Sequence, residues 1–183
     1  MPFHDTELAL VKSSLILKDI PPDILSEMLD STVNVQLNLP AEEVFATAGV
    51  IKPGLFLVIH GVIELFVSDD KGRDKVIDFV QAGNILAQET LLTTHPLPYS
   101  ARTLTEAAVL HLPDELISTW QERYPPFSRR LLSLVAQRAD YVSNDMLTLR
   151  TKKATARLVC YLLCHFNKAP RTPDGSYSLD LPF

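Results

Sequence analysis

From about Val33 to Leu112 the chain is a succession of short, β-branched apolar runs, each cut off by glycine or proline. The runs are Val33–Asn38, Glu43–Thr47, Leu55–His60, Val62–Ser68, Lys75–Gln81, Tyr99–Leu104 and Ala107–Leu112. Turn residues separate them at Gly49, Pro53-Gly54, Gly61, Asp70-Lys71-Gly72 and Gly83-Asn84. Many short strands at this spacing predict an antiparallel sandwich or barrel. Asp70-Lys71-Gly72-Arg73, between two apolar runs, is the clearest hairpin.

Helical texture flanks this region. Leu8, Val11 and Leu15 follow a helical spacing, and Pro21-Pro22-Asp23 reads as a helix start before Ile24, Leu25, Met28 and Leu29. After Leu112-Pro113, Asp114–Arg123 reads as a short helix that Tyr124-Pro125-Pro126 ends while starting another. Phe127–Leu149 contains no glycine or proline, and a further helical run covers Ala154–Phe166. A Pro-Asp-Gly loop at 173–175 then leads to a possible last strand, Ser176–Leu181, with alternating Tyr177, Leu179 and Leu181. The reading is therefore α+β: N-terminal helices over 1–32, a β-barrel over 33–124, a long helix over 125–150, and a remainder over 151–183.

At 46% hydrophobic and 21% charged residues, 183 residues suffice for one packed domain with an appendage. No apolar run approaches the ~20 residues that cross a bilayer, which predicts no membrane span. Met1-Pro2-Phe3-His4-Asp5 lacks the pattern of a secretory signal, and two cysteines fit a reducing cytoplasm. A net charge of −5 argues against a surface that grips nucleic acid as a whole.

The long helix carries two apolar stripes. Ser128, Leu132, Val135, Ala139, Val142, Met146 and Leu149 follow alternating steps of four and three, a heptad seam over about three heptads. Phe127, Leu131 and Leu134 form a second stripe that ends early. A helix with one buried face shows one stripe. The start of the helix is expected to pack on the strand domain. The seam Leu132, Val135, Ala139, Val142, Met146, Leu149 is expected to meet the same helix of a second copy in a two-fold dimer; packing against residues 5–31 is the alternative.

Taken together, this order of elements resembles the CRP/FNR superfamily of bacterial transcription regulators. Gly49 followed by Leu55–Leu65 looks like the family's glycine-bounded strand pair. Gly83-Asn84-Ile85-Leu86 sits at its second glycine turn, Thr155-Ala156-Arg157-Leu158 resembles the helix after the dimerisation helix, and 173–183 resembles the approach to a DNA-binding domain. The similarity runs from about residue 15 onward. It implies a jelly-roll-like double-stranded β-helix of the cyclic-nucleotide-binding type that senses an effector, a homodimer, and DNA as partner. The DNA would be read through a helix-turn-helix that needs roughly 50 residues more than the chain holds. The apolar run Leu158–Cys164 would pack on that domain.

In the family's cyclic-nucleotide binders a Gly-Glu-Leu turn offers backbone N–H groups and a carboxylate for the ribose, and an Arg-Ser-Ala or Arg-Thr-Ala step pairs with the phosphate. Here the turn is Ala87-Gln88-Glu89-Thr90 and the step is Tyr99-Ser100-Ala101-Arg102. Gln88 replaces the glutamate and Tyr99 the arginine, while Glu89 and Arg102 are out of register. The effector-binding candidates are Gln88, Glu89, Thr90, Tyr99, Ser100 and Arg102, between the 88–92 turn, the 99–103 strand and the start of the long helix. Strand alternation puts Ser100 and Arg102 on one face and Tyr99 and Ala101 on the other. With the first face inward, Arg102 would need Glu89 or an anionic ligand as partner; with the second inward, Tyr99 and Ala101 line an apolar interior suited to haem or a hydrophobic effector. Arg102 and Glu89 as ordinary surface charges is the plain alternative.

Some relatives carry an iron–sulfur cluster and others sense nitric oxide or carbon monoxide through haem. A cluster ordinarily takes four thiolates, and the chain has only Cys160 and Cys164, with His165 beside them. Two small hydrophobes in a helix core describe these cysteines better than a metal site. For haem the candidates are His60 and His111, which end apolar strands, with His4, His95 and Cys164 less well placed; no pair has a recognisable haem spacing. The missing arginine resembles nitrogen-oxide or redox-responsive members more than the cyclic-AMP type. No catalytic motif appears, so no enzyme is expected. The rivals are a cyclic-nucleotide module regulating an enzyme or channel, and a cupin-type enzyme, for which His60 and His111 supply too few ligands.

Overall fold

Eight strands form two four-stranded antiparallel sheets stacked as a jelly roll. The strands are β1 (Val35–Leu39), β2 (Val44–Ala46), β3 (Leu55–His60), β4 (Val62–Ser68), β5 (Asp74–Gln81), β6 (Ile85–Leu86), β7 (Ser100–Thr103) and β8 (Ala107–Leu112). One sheet has the order β1-β8-β3-β6 and the other β2-β7-β4-β5. The helices are α1 (Asp5–Ser13), α2 (Pro22–Leu29), α3 (Asp114–Arg123) and α4 (Pro125–Thr151). This computed structural model describes residues 5–18, 20–29, 35–51, 54–91 and 95–151, with 155, 158, 159, 162 and 176 as isolated positions; for 5–7, 28 and 141–151 it describes the backbone alone. The chain divides into two compact units, Met1–Val135 and Ala136–Phe183.

The strand positions follow the sequence closely, and the apolar run Leu55–Ile59 shows why. Phe56 and Val58 point between the sheets, beside Ile63, Leu65, Tyr99, Ala101 and Val109. Leu55, Leu57 and Ile59 point the other way, beside Leu110, Leu112, Trp120, Phe127 and Leu131. A strand buried on both faces is apolar at every position. β5, on the edge of the second sheet, is exposed over its first half instead. The two-residue β6 escapes a reading by alternation, because two residues define no period; it pairs with β3 through Phe56 and Leu57.

At the N-terminus one expectation is corrected. Val11 is fully buried, but Leu15 lies beyond the end of α1 and is half-exposed, and Ile16 and Leu17 take its place in the core. The Ser13 and Ser14 hydroxyls donate to the carbonyls of Leu10 and Val11, and such back-bonding competes with helix continuation.

The short stripe of α4 packs as expected: Phe127 and Leu131 are buried, Leu134 is half-buried, and the Phe127 ring meets Trp120 edge-on at 5.6 Å. Of the seam, Leu132 and Ala139 are exposed and Val135 is half-buried. The side chains of Val142, Met146 and Leu149 lie outside the described residues, as does the expected strand Ser176–Leu181 beyond its first residue. Leu158 and Val159 are about half-exposed.

Candidate effector site

The site is built on the turn that leaves β6. Ala87 adopts a left-handed conformation, φ 66° and ψ 16°, and a 3-10 turn over Gln88–Thr90 follows. That conformation disfavours residues with a Cβ, and Thr90 fixes it: its hydroxyl donates to the Ala87 carbonyl at 2.8 Å and lies 3.3 Å from the Gly54 carbonyl. Gly54 itself has φ +120°, and a Cβ there would lie 2.3 Å from the Leu112 carbonyl oxygen. Only glycine therefore allows β3 to begin so close to the end of β8.

Tyr99 closes the turn from below. It is 3% exposed. Its hydroxyl accepts the Ala87 N–H at 2.9 Å and donates to Glu89 Oε2 at 3.0 Å. Gln88, 5% exposed, donates from Nε2 to Glu89 Oε1 at 3.2 Å, and its own Oε1 has no hydrogen-bond partner. Gln88, Glu89 and Tyr99 are thus linked by side-chain hydrogen bonds, and Thr90 is tied to the same turn through the Ala87 carbonyl.

Ser100 and Arg102 stand on the opposite face of the sheet. Tyr99 and Ala101 point into the core between the sheets, so the inward face is the apolar one. Ser100 Oγ accepts the Ala48 N–H at 3.0 Å. With that face turned outward, Arg102 pairs with Glu64, opposite it in the β4–β7 register, with Nε to Oε2 at 3.1 Å, and with Asp74 at 3.2 Å. Its guanidinium also lies 4.7 Å from the centre of the Phe66 ring. The hydrogen bond to Glu64 raises the Arg102 pKa further above its ordinary value, against the effect of burial. Sequence reasoning missed Glu64, a buried carboxylate inside the apolar run Val62–Val67; a lone charge there was the available signal.

The two histidines expected to face an interior differ in exposure. His60 is exposed at the end of β3, which corrects the expectation that it faces an interior. His111 is half-buried, its ring stacked on Phe56 at 4.7 Å. Asp114, at the start of α3, lies near His111. Burial pushes its carboxyl above the usual range, opposed by His111 and by the Gly54 N–H, and its Oδ1 has no partner. Among the described residues no three His, Cys, Asp or Glu side chains gather to hold a metal. Cys160, Cys164 and His165 lie outside them.

A jelly roll with a short turn after β6, facing the start of β7, is the architecture of a small-molecule-sensing domain. Residues 36–124 match the family model of the cyclic nucleotide-binding domain, and this stretch is a domain of that family. Its relatives are CRP/FNR-type transcription regulators. The HTH-type transcriptional regulator Cmr of Mycobacterium tuberculosis is 25% identical over 162 residues, 88% of this chain and 58% of that protein. A CRP-like cAMP-activated global transcriptional regulator of the same species is 22% identical over 61% of this chain and 51% of its own length. The chain thus spans about half of the curated relatives it matches. Among solved structures, the Thermus thermophilus catabolite activator protein superposes with a TM-score of 0.65 at 20% identity, over 74% of this chain and 63% of that one. The sensor domain of the regulator DNR from Pseudomonas aeruginosa gives 0.64 at 16% identity, over 84% of this chain and 99% of that one. These likenesses show the fold. Among the described residues, no helix is long and apolar enough to cross a membrane.

Proposed function

We propose that the chain is the effector-sensing, dimerising portion of a CRP/FNR-type transcription regulator, and that its effector is not a cyclic nucleotide held by the phosphate. It acts as a regulator rather than an enzyme, in the cytoplasm, with a second copy of itself and, through a helix-turn-helix, DNA as partners. The observation that carries the effector reading is the Tyr99 hydroxyl. It takes up the Ala87 N–H, one of the backbone donors that a phosphate would use, and it stands where the cyclic-nucleotide binders have their arginine. Arg102 does not reach a phosphate there, being engaged with Glu64 and Asp74 on the other face of the sheet. An anion also meets the Glu89 carboxylate. Effector binding at the 87–90 turn would be transmitted to the core beneath α4, where Leu91 packs with Phe127 and Leu131, and from there to the helix pair of the dimer.

Calorimetry with cyclic AMP tests this. The chain is expected to show no micromolar binding, and Tyr99→Arg combined with Gln88→Glu is expected to gain affinity by at least tenfold. Micromolar binding of cyclic AMP by the unaltered chain overturns the reading.

A further inference from the structure

Gly54 joins the 87–90 turn to the start of α3. Its Cα faces the end of β8, where a Cβ would lie 2.3 Å from the Leu112 carbonyl oxygen, 2.9 Å from Pro113 Cα and 3.0 Å from His111 Nε2. Its carbonyl lies 3.3 Å from the Thr90 hydroxyl, and its N–H donates to the Asp114 carboxyl. A glycine at φ +120° has no side chain to anchor it, so these two bonds and the crowding at the junction set its position.

The Thr90 hydroxyl has one proton and two carbonyls within reach, Ala87 at 2.8 Å and Gly54 at 3.3 Å. On the Ala87 carbonyl, that proton holds the left-handed residue that opens the turn. A shift of the Gly54 carbonyl toward Thr90 draws the proton away. Asp114 resists the shift, because an ionised carboxylate holds an N–H more strongly than a neutral carboxyl does. The linkage is reciprocal: the Gly54 bond favours the charged form of Asp114, so a proton on Asp114 favours release of Gly54. Burial already pushes Asp114 toward its neutral form, and its Oδ1 has no partner. From β8, His111 acts the other way and favours the charged form. Along α3 the next carboxylate, Glu115, is exposed, and on the turn Glu89 is bonded by Gln88 and Tyr99. Lys52, two residues before Gly54, lies outside the described residues.

We propose that the β8–α3 junction is a proton-operated input to the 87–90 turn: protonation of Asp114 releases the Gly54 N–H, the Gly54 carbonyl competes for the Thr90 proton, and the turn loosens. This rests on the reading that the turn is the effector seat, and its consequence is a seat that grips less firmly in acid. Neutralising Asp114 loosens the turn while relieving a buried charge, so its local and global effects on stability have opposite signs.

The Thr90 and Leu91 amides, which bond the Ala87 and Gln88 carbonyls, report on the turn. Their hydrogen exchange in the full chain, corrected for the intrinsic pH dependence of exchange, is followed between about pH 7 and pH 4 together with the carboxyl carbon resonance of Asp114. Protection at both amides is expected to fall about fivefold as Asp114 takes up its proton. Asp114→Asn is expected to show the lower protection already at neutrality, with no step. Glu115→Gln should keep the step, and His111→Gln should move it to higher pH. Unchanged protection while Asp114 titrates overturns the proposal, as does a step that survives in Asp114→Asn or an Asp114 that stays ionised throughout. No ligand enters the experiment, so its failure leaves the effector reading standing, and micromolar cyclic AMP binding overturns that reading without touching this result.

Discussion

The Tyr99 hydroxyl and the Arg102 guanidinium are three residues apart, point to opposite faces of one sheet, and hold different things together. Removing the hydroxyl in Tyr99→Phe leaves the buried Ala87 N–H without its acceptor, which costs about 1–3 kcal/mol. Urea unfolding should show that loss with an unchanged slope; no loss would mean the bond does not contribute. Arg102→Ala leaves Glu64, 7% exposed, with no cation beside it. The full penalty for orphaning a buried charge is about 3–5 kcal/mol. The Arg102 side chain is 25% exposed, so solvent screening reduces the expected loss to about 1–3 kcal/mol. The double variant Arg102→Ala with Glu64→Gln should recover part of it, and equal losses in the single and double variants would show that the pair is not coupled. Neither Arg102 variant is expected to change ligand binding at the 87–90 turn. At this scale the sequence was informative about identity and ambiguous about direction. The replacement of an arginine by Tyr99 is visible in the residues themselves. Which face of β7 turns inward depends on β4, where Glu64 stands opposite Arg102, and a one-residue difference in strand register reverses every side chain.

Between β8 and α3 the chain turns sharply over Leu112-Pro113-Asp114, and Asp114 pays for its position in a way pH exposes. Burial raises its folded-state pKa, so the folded protein holds that proton more tightly than the unfolded chain does. The stability it contributes is fully present below about pH 4, the ordinary carboxylate value, and is lost as pH rises through the raised folded value. Asp114→Asn carries no such charge. Measured by urea unfolding from pH 4 to pH 7, the variant should gain on the unaltered protein as pH rises and be the more stable at neutrality. A difference that stays constant with pH would show that the carboxylate is not desolvated. Elements of this kind were legible where each side chain's burial follows from its own strand or helix. β3, β4, β8 and α3 have the bounds their apolar runs predict, because each is long enough to show a pattern and is closed by a turn residue. α1 and β6 were not fully legible. The end of α1 is set by two serine hydroxyls rather than by apolar spacing, and β6 exists through its pairing with β3. The 3-10 turn was placed by resemblance, and the bonds that shape it reach from Gly54 and Tyr99, 36 and 10 residues from their partners Thr90 and Glu89.

For the molecule as a whole, the question is what covers the heptad seam of α4. Phe127 and Leu131 are used up in the core of the first unit, whereas Leu132, one residue on, is 58% exposed. A leucine exposed alone explains nothing. Leu132 is the first apolar member of a seam that continues at heptad spacing through Val135, Ala139, Val142, Met146 and Leu149. Sustained heptads are satisfied by a second helix at the same spacing, and the economical partner is the same helix of a second copy. Val135→Glu together with Val142→Glu would bury two like charges in each helix, facing the same pair across a two-fold axis, at several kcal/mol per site. Sedimentation velocity should find the unaltered chain at twice 20.4 kDa and the double variant at the mass of one chain. Leu131→Ala is the control from the other stripe. It removes packing from the core of the first unit, about 2–5 kcal/mol, without touching the seam. It should lower the melting temperature and leave the dimer intact. A double variant that still sediments as a dimer, or a Leu131→Ala protein that folds as a monomer, would move the interface off the seam.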